Sequence, residues 1–264
     1  MQTNKGFTIA ISGKGGVGKT NLAALLVRCF SRMGDVLAID ADPDSNLPQA
    51  LGVDVSRNIG DAREAIAQAP TYSRGSGDMD KLKAFELALN QMMKEAPDFD
   101  MVVMGRSEGE GCYCAVNHIL RQGMDVWANN YDFVVIDCEA GLEHLSRRTT
   151  RDVDVMLAVT DATKNGLLTA MRVQGLSKEL HVEFGEVLIV ANRITDETKP
   201  VLEKTAREND TTLAAFVPYD SNVAQFDISG KSVWDLPEDS PASIAVGDIC
   251  QMILDRAAHT ELSA

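Results

Sequence analysis

The chain has 264 residues, 45 % of them hydrophobic and 24 % charged, a composition that suits an ordinary globular protein and excludes a disordered or collagen-like one. Its 25 Lys and Arg stand against 39 Asp and Glu, a formal charge of −14 that repels a phosphate backbone or an anionic lipid face, so neither nucleic acid nor membrane is expected as a partner. The first apolar run, residues 7–11, is far shorter than a signal-peptide core or the ~20 residues of a spanning helix, and the expected compartment is the cytoplasm.

Continuous, largely β-branched runs predict strands at 7–11, 36–39, 101–104, 133–136, 153–159, 187–190 and 213–217, each buried on both faces. Helical periodicity fills 21–33, 81–94, 116–128, 167–180 and 243–257, and residues 73–77 read as a loop between helices. This alternation predicts an α/β fold, a doubly wound and mostly parallel sheet with helices on both faces. No repeat or linker divides the chain, so a single domain over 1–264 is expected.

After the first strand stands Gly13-Lys14-Gly15-Gly16-Val17-Gly18-Lys19-Thr20, which matches G-x-x-x-x-G-K-[ST] between a strand and a helix. The glycines let backbone N–H groups turn toward phosphate oxygens, and the next helix adds its positive end. Lys19 reaches the β- and γ-phosphates and the Thr20 hydroxyl suits Mg²⁺, so ATP or ADP with Mg²⁺ is the expected ligand. Lys14 is a second lysine in the loop; GKGGVGKT resembles the deviant phosphate loop of the MinD/ParA/nitrogenase iron protein class of ATPases. That resemblance implies that Lys14 crosses to a partner subunit's nucleotide in a homodimer, where a cation offsets charge on the transferred phosphoryl group. A solvated surface lysine is the plainer alternative.

The second strand runs into Asp40-Ala41-Asp42-Pro43-Asp44-Ser45, placing carboxylates at the sheet edge where an open α/β fold binds its ligand. The class resemblance implies that Asp42 orients the attacking water and that Asp40 holds a water on Mg²⁺; a turn capped by Asp is the other reading. The fourth strand ends in Asp137, a carboxylate placed to enter the magnesium shell. Cys138-Glu139-Ala140-Gly141 would follow as a switch with a glycine able to swing, and His144 beyond it is a weak signal alone. Asn192-Arg193 and Pro218-Tyr219-Asp220 resemble the adenine-binding elements of the class, an Asn side chain on the base edge and a Pro-Tyr-Asp backbone turn flanking it. The catalytic set implied is Lys14, Lys19 and Asp42; the nucleotide and Mg²⁺ set adds Gly13, Gly15, Gly16, Val17, Gly18, Thr20, Asn21, Asp40, Asp137, Asn192, Arg193, Pro218, Tyr219 and Asp220.

Five cysteines are an odd number in a large chain of this kind, which argues against a disulfide framework and for metal or redox chemistry. Cys112-Tyr113-Cys114 lies in a polar, glycine-rich loop before a helix start that favours thiolate. Two thiols two residues apart can face one metal; a closed site of four is completed either locally, by His118 and Glu110, or by the same loop of a second subunit in a Cys₄ arrangement. Two buried structural cysteines are the alternative. Gly111 to His118 together with Asp137 to Arg147 resemble the CooC-type ATPases, nickel-insertion accessory proteins of carbon monoxide dehydrogenase. The resemblance implies Ni²⁺ held by Cys112 and Cys114 across a homodimer and delivered to a client metalloenzyme, carbon monoxide dehydrogenase or acetyl-CoA synthase. Zn²⁺ suits the same thiolates, so isolated protein can carry zinc. The chain departs from the class at Asn21, where a second hydroxyl is usual. The separation of Cys112 from Cys138 also leaves open an iron–sulfur reductase like the nitrogenase iron protein.

Overall fold

The computed structural model describes residues 6–59, 90–105, 127, 129–139, 153–179 and 184–261. In chain order these form β1 (Phe7–Gly13), α1 (Lys19–Phe30), β2 (Val36–Ala41), α2 (Leu47–Leu51), β3 (Lys94–Glu95), β4 (Asp100–Val103), β5 (Phe133–Cys138), β6 (Val153–Thr160), α3 (Lys164–Glu179), β7 (Phe184–Ile194), α4 (Thr198–Glu208), β8 (Leu213–Pro218), α5 (Ser221–Ser229), a 3-10 turn (Val233–Asp235) and α6 (Pro241–Glu261).

One eight-stranded sheet carries them in the order β3-β4-β2-β5-β1-β6-β7-β8. Every pairing is parallel except β3 with β4. The chain leaves β1 toward β2 on one side, while β6, β7 and β8 extend the other. The strand order therefore reverses around β1, the position where sheets of this kind open a ligand crevice at their carboxyl ends. The β-branched runs predicted as strands are buried on both faces because helices cover both.

One face of the sheet packs against α1 and α6, the other against α3. On α1, Leu22, Leu25, Leu26, Val27 and Phe30 are all buried, and Phe30 stacks on Phe133 of β5 at 4.6 Å between ring centroids. At ~1.5–3 kcal/mol for each large apolar side chain removed from water, that helix face contributes on the order of 10 kcal/mol. Burial on this scale fixes α1 without help from an N-cap, and none is present: Gly18 stands at the cap in a left-handed conformation with no side-chain bond. No helix among the described residues is long and apolar enough to cross a membrane.

All seven predicted strands are present, most of them a residue or more longer. The helix predicted to run through Lys94 stops short: residues 90–92 are helical and Lys94 instead opens β3, pairing with Met101. The helix predicted over 21–33 begins earlier, at Lys19, and ends at Phe30. Three helices were not legible. α2 has five residues, α4 buries only Leu202 and Ala206, and α5 buries nothing, so none shows an apolar stripe long enough to register. Residues 73–77 and most of 116–128 lie outside the described residues.

Candidate nucleotide site

Glycine decides the shape of the loop after β1. Gly13 has φ 152°, and a Cβ there would lie 2.3 Å from the Val159 carbonyl oxygen of β6, so no other residue lets the loop pass its neighbouring strand. Gly18 has φ 87° and hands the chain to α1. With neither a side-chain cap nor an acidic residue in its first turn, α1 offers its leading N–H groups and its positive end to an anion. Lys19 is buried at that end, while Lys14 is exposed. The cleft beside them, about 430 Å³, is lined by Gly15, Gly16, Lys19, Thr20, Asn21, Asp42, Glu139, Arg193 and Lys231 among others.

Asp40 and Asp137 are paired across adjacent strands β2 and β5 and both are buried. The Asp40 carboxylate accepts hydrogen bonds from the Asp42 and Leu47 N–H groups, each at 3.0 Å, so it shapes the turn that presents Asp42. Burial, then the neighbouring Asp137 charge, pushes Asp40 up to about 8 against those bonds. Burial likewise raises Asp137 to about 6, with the Thr20 hydroxyl bond and the Lys19 charge pulling the other way. Asp137 Oδ1 is buried with no hydrogen-bond partner among the described residues. A bare carboxylate oxygen beside a hydroxyl is the donor set that a small, hard cation accepts, with phosphate and water filling its remaining positions. The residues present therefore fit Mg²⁺, with Thr20 and Asp137 as its holders; bound there, the metal would neutralise phosphate charge.

Against the phosphate cleft lies a second, mostly apolar cavity of about 230 Å³, lined by Leu22 and Leu25 of α1, Asn192 and Arg193 of β7, Pro218, Tyr219 and Asp220 after β8, Val223, Ala224 and Ile228 of α5, and Ala242 and Val246 of α6. Gly18, Asn21, Arg193 and Asp227 line both cavities, which makes one continuous slot with a polar end and an apolar end. The β7–β8 ladder is irregular between Ala191 and Ile194, a break of the kind that re-aims side chains. It carries Arg193 with φ 59°. Asn192 Nδ2 donates to the carbonyls of Val17 at 2.9 Å and Gly18 at 3.4 Å, its Oδ1 accepts from Arg193 N at 2.9 Å, and Arg193 Nη1 donates to Gly16 O at 3.1 Å. These two residues thus brace the phosphate loop from the base side.

Asp220 closes the apolar end. Its Oδ1 accepts from Asn222 N at 2.8 Å, capping α5, and its Oδ2 accepts from Ser240 Oγ and Ala242 N at the start of α6. One carboxylate therefore ties two helix N-termini together. Burial works to raise its pKa, but the bonds from Ser240, Ala242 and Asn222 outweigh it and hold the carboxylate below its ordinary value. Tyr219 N donates to Ile194 O at 2.9 Å, which joins the Pro218-Tyr219-Asp220 turn to the Asn192-Arg193 corner.

The family model of the CobQ/CobB/MinD/ParA nucleotide-binding domain matches residues 8–233. The chain belongs to that family. An uncharacterized ATP-binding protein of Methanocaldococcus jannaschii is 44 % identical over 249 residues, 94 % of this chain and 98 % of its own. The carbon monoxide dehydrogenase accessory protein CooC of Rhodospirillum rubrum is 30 % identical over 248 residues, 89 % of this chain and 90 % of its own. Among solved structures, the septum site-determining protein MinD of Pyrococcus horikoshii, complexed with Mg-ADP, has a TM-score of 0.67 at 21 % identity, covering 94 % of this chain and 96 % of that one. The protein is a CobQ/CobB/MinD/ParA-type phosphate-loop ATPase, and its doubly wound sheet is that of the class.

Among the residues expected at the site of this CobQ/CobB/MinD/ParA chain, Gly15, Gly16, Gly18, Lys19, Thr20, Asn21 and Asp42 line the polar end of the slot and Asn192, Arg193, Pro218, Tyr219 and Asp220 its apolar end, whereas Gly13, Lys14, Val17, Asp40 and Asp137 stand outside that lining. Cys112 and Cys114, with Glu110, His118, Gly141 and His144, lie outside the described residues. Cys138 is buried in the core and its thiol points to the Ile136 carbonyl oxygen at 3.9 Å; burial raises its pKa, as suits a packing residue more than a metal ligand. The apolar lining from α5 and α6, and Lys231 at the phosphate end, were not anticipated. A signal existed for α5: Asp220 and Gly230 stand ten positions apart as cap residues at its two ends.

Proposed function

We propose that this ATPase is a homodimeric accessory protein that carries Ni²⁺ as cargo on Cys112 and Cys114 of two chains and releases it to a client metalloenzyme, carbon monoxide dehydrogenase or acetyl-CoA synthase, when the nucleotide state changes. The observation that carries the reading is the 30 % identity to CooC over 89 % of the chain, joined to the Cys112-Tyr113-Cys114 element in the sequence. Lys19 and Mg²⁺ balance phosphate charge, Asp42 orients water, and Lys14 completes the partner's site. The exposure of Lys14 supports that role, since an exposed lysine of the loop can meet a second chain. ATP would then bias the dimer, and the switch after Asp137 would convey the bias to the thiolate loop, a coupling between two sites. Zn²⁺ competes for the same thiolates.

The test is equilibrium nickel binding with mass by light scattering, for the wild type and Cys112→Ala/Cys114→Ala, with and without ADP or ATP under reducing anaerobic conditions. About half a nickel per chain, a dimer mass, and loss of both in the variant are expected for a shared Cys₄ site. Nickel retained by the variant overturns the site. No nickel, with a brown chromophore after reconstitution with iron and sulfide, would favour an iron–sulfur reductase, a reading that the buried Cys138 already disfavours.

A further inference from the structure

Leu22, Leu25 and Cys29 stand at i, i+3 and i+7 on α1, and Ala242, Val246 and Cys250 at i, i+4 and i+8 on α6, so each cysteine continues the helix stripe that lines the base cavity. At the far end of that seam a second cavity, about 150 Å³, opens to solvent and is lined by Leu25, Arg28, Cys29, Arg32, Glu238, Val246 and others. Leu25 and Val246 line both cavities, so one layer of side chains separates the cysteine pocket from the apolar end of the slot. Cys29 is half-buried at the pocket and Cys250 fully buried, both are free thiols, and both pack in the one core cluster that α1 and α6 share.

We propose that Cys29 and Cys250 are a reactive thiol pair that a hydroperoxide converts to an internal disulfide, and that this bond weakens nucleotide binding by deforming the wall shared with the base cavity. The geometry assigns the roles. Cys29 is the accessible member, and its pKa is lowered first by the Cys250 thiol and then, against the effect of burial, by Arg32 and Arg28; burial holds Cys250 protonated. Both arginines are fixed at the pocket, Arg28 by the Leu236 carbonyl and Arg32 by Glu238, each at 2.6 Å. Cys29 sulfur attacks a peroxide oxygen, the O–O bond breaks, the alkoxide leaves as alcohol with the thiol's proton, and Cys29 becomes a sulfenic acid. Cys250 sulfur then attacks that sulfur, the S–O bond breaks, and hydroxide departs as water with the Cys250 proton. Two thiols lose two electrons and two hydrogens, and the hydroperoxide is reduced to alcohol and water. An S–S bond of ~2.05 Å draws α1 and α6 closer than two non-bonded thiols permit, and Leu25 and Val246 move with them.

Reduced full-length protein treated with an equivalent of hydrogen peroxide, thiol-blocked and digested with trypsin, is expected to yield peptides 29–32 and 232–256 joined by a disulfide. ADP affinity, measured by calorimetry on the undigested sample, is expected to fall about fivefold or more and to recover with dithiothreitol. Cys29→Ser, or Cys29→Ala should the hydroxyl disturb the seam, is expected to keep the affinity of the reduced protein after the same treatment. Oxidation of Cys29 to a sulfinic acid without the joined peptides overturns the pair. A joined pair with unchanged affinity overturns the coupling, and a loss of affinity that persists in the Cys29 variants assigns it to other thiols.

Discussion

The phosphate end of the slot is built around one continuous segment, residues 15–21, with Asp42, Glu139, Arg193 and Lys231 also lining it, whereas the base end draws nearly all its side chains from the separate elements α1, β7, β8, α5 and α6. At the phosphate end, backbone geometry supplies the donors: positive-φ glycines and an uncapped helix start leave N–H groups for oxygen. At the base end the packing of distant helices supplies the walls, from the same side chains that hold the fold. A ligand that bridges the two is gripped by local covalent geometry at one end and by tertiary structure at the other, so the two grips should fail separately.

The largest effect belongs to Lys19. Lys19→Ala should lower the turnover of ATP by about 10²-fold or more with thermal stability close to that of the wild type; a turnover within a factor of a few of normal would remove Lys19 from the chemistry. Next comes Asp137→Asn, which keeps the shape and removes the charge on the orphaned oxygen. Mg²⁺ should then cease to stimulate hydrolysis, while ADP binding measured in chelator stays near normal.

Ala224→Phe sharpens the contrast between the ends. Ala224 sits on α5, which buries none of its residues, so a ring there fills the base cavity at little cost to the fold. ATP affinity should drop about tenfold or more while inorganic triphosphate, which needs only the phosphate end, binds as before. Equal losses for both ligands would show that the ends are not independent.

The smallest effect is thermodynamic. Asp220 has a folded-state pKa below its unfolded value, so its contribution is present above the ordinary carboxylate pKa of ~3.9 and is lost as pH falls through the lower, folded value. Asp220→Ala should cost about 1–2 kcal/mol at pH 7, as loss of a helix cap does. The gap to the wild type, followed by thermal melts, should narrow as the solution is acidified below pH 4.

The same contrast explains how much was legible. The loop from Gly13 to Thr20 declares itself because its requirements are local: glycines where φ is positive or a Cβ would strike the next strand, then Lys and Thr at a helix start. Strands buried on both faces declare themselves too, since Ile9, Ile39, Val135 and Leu157 belong to uninterrupted apolar runs. The base cavity does not, because Leu25, Val246 and Ala242 read in sequence as ordinary core residues and become a wall only once α6 has returned to pack on α1. Asp40 was read from its position as a metal-shell residue or a cap, and the structure shows its two oxygens taken by backbone N–H groups, a tertiary detail that spacing alone does not reveal.

The two residues of β3 have a consequence at the far edge of the molecule. An open strand edge is a template on which another chain can add, and β4 is a short apolar strand whose outer side would otherwise be bare. Lys94 and Glu95 cover it with an antiparallel pair of exposed charges, joined to β4 by a tight turn through Pro97 and Asp98 that Ala96 N closes by donating to Phe99 O. Among the described residues the sheet ends there, on a strand too short and too charged to template the addition of another chain.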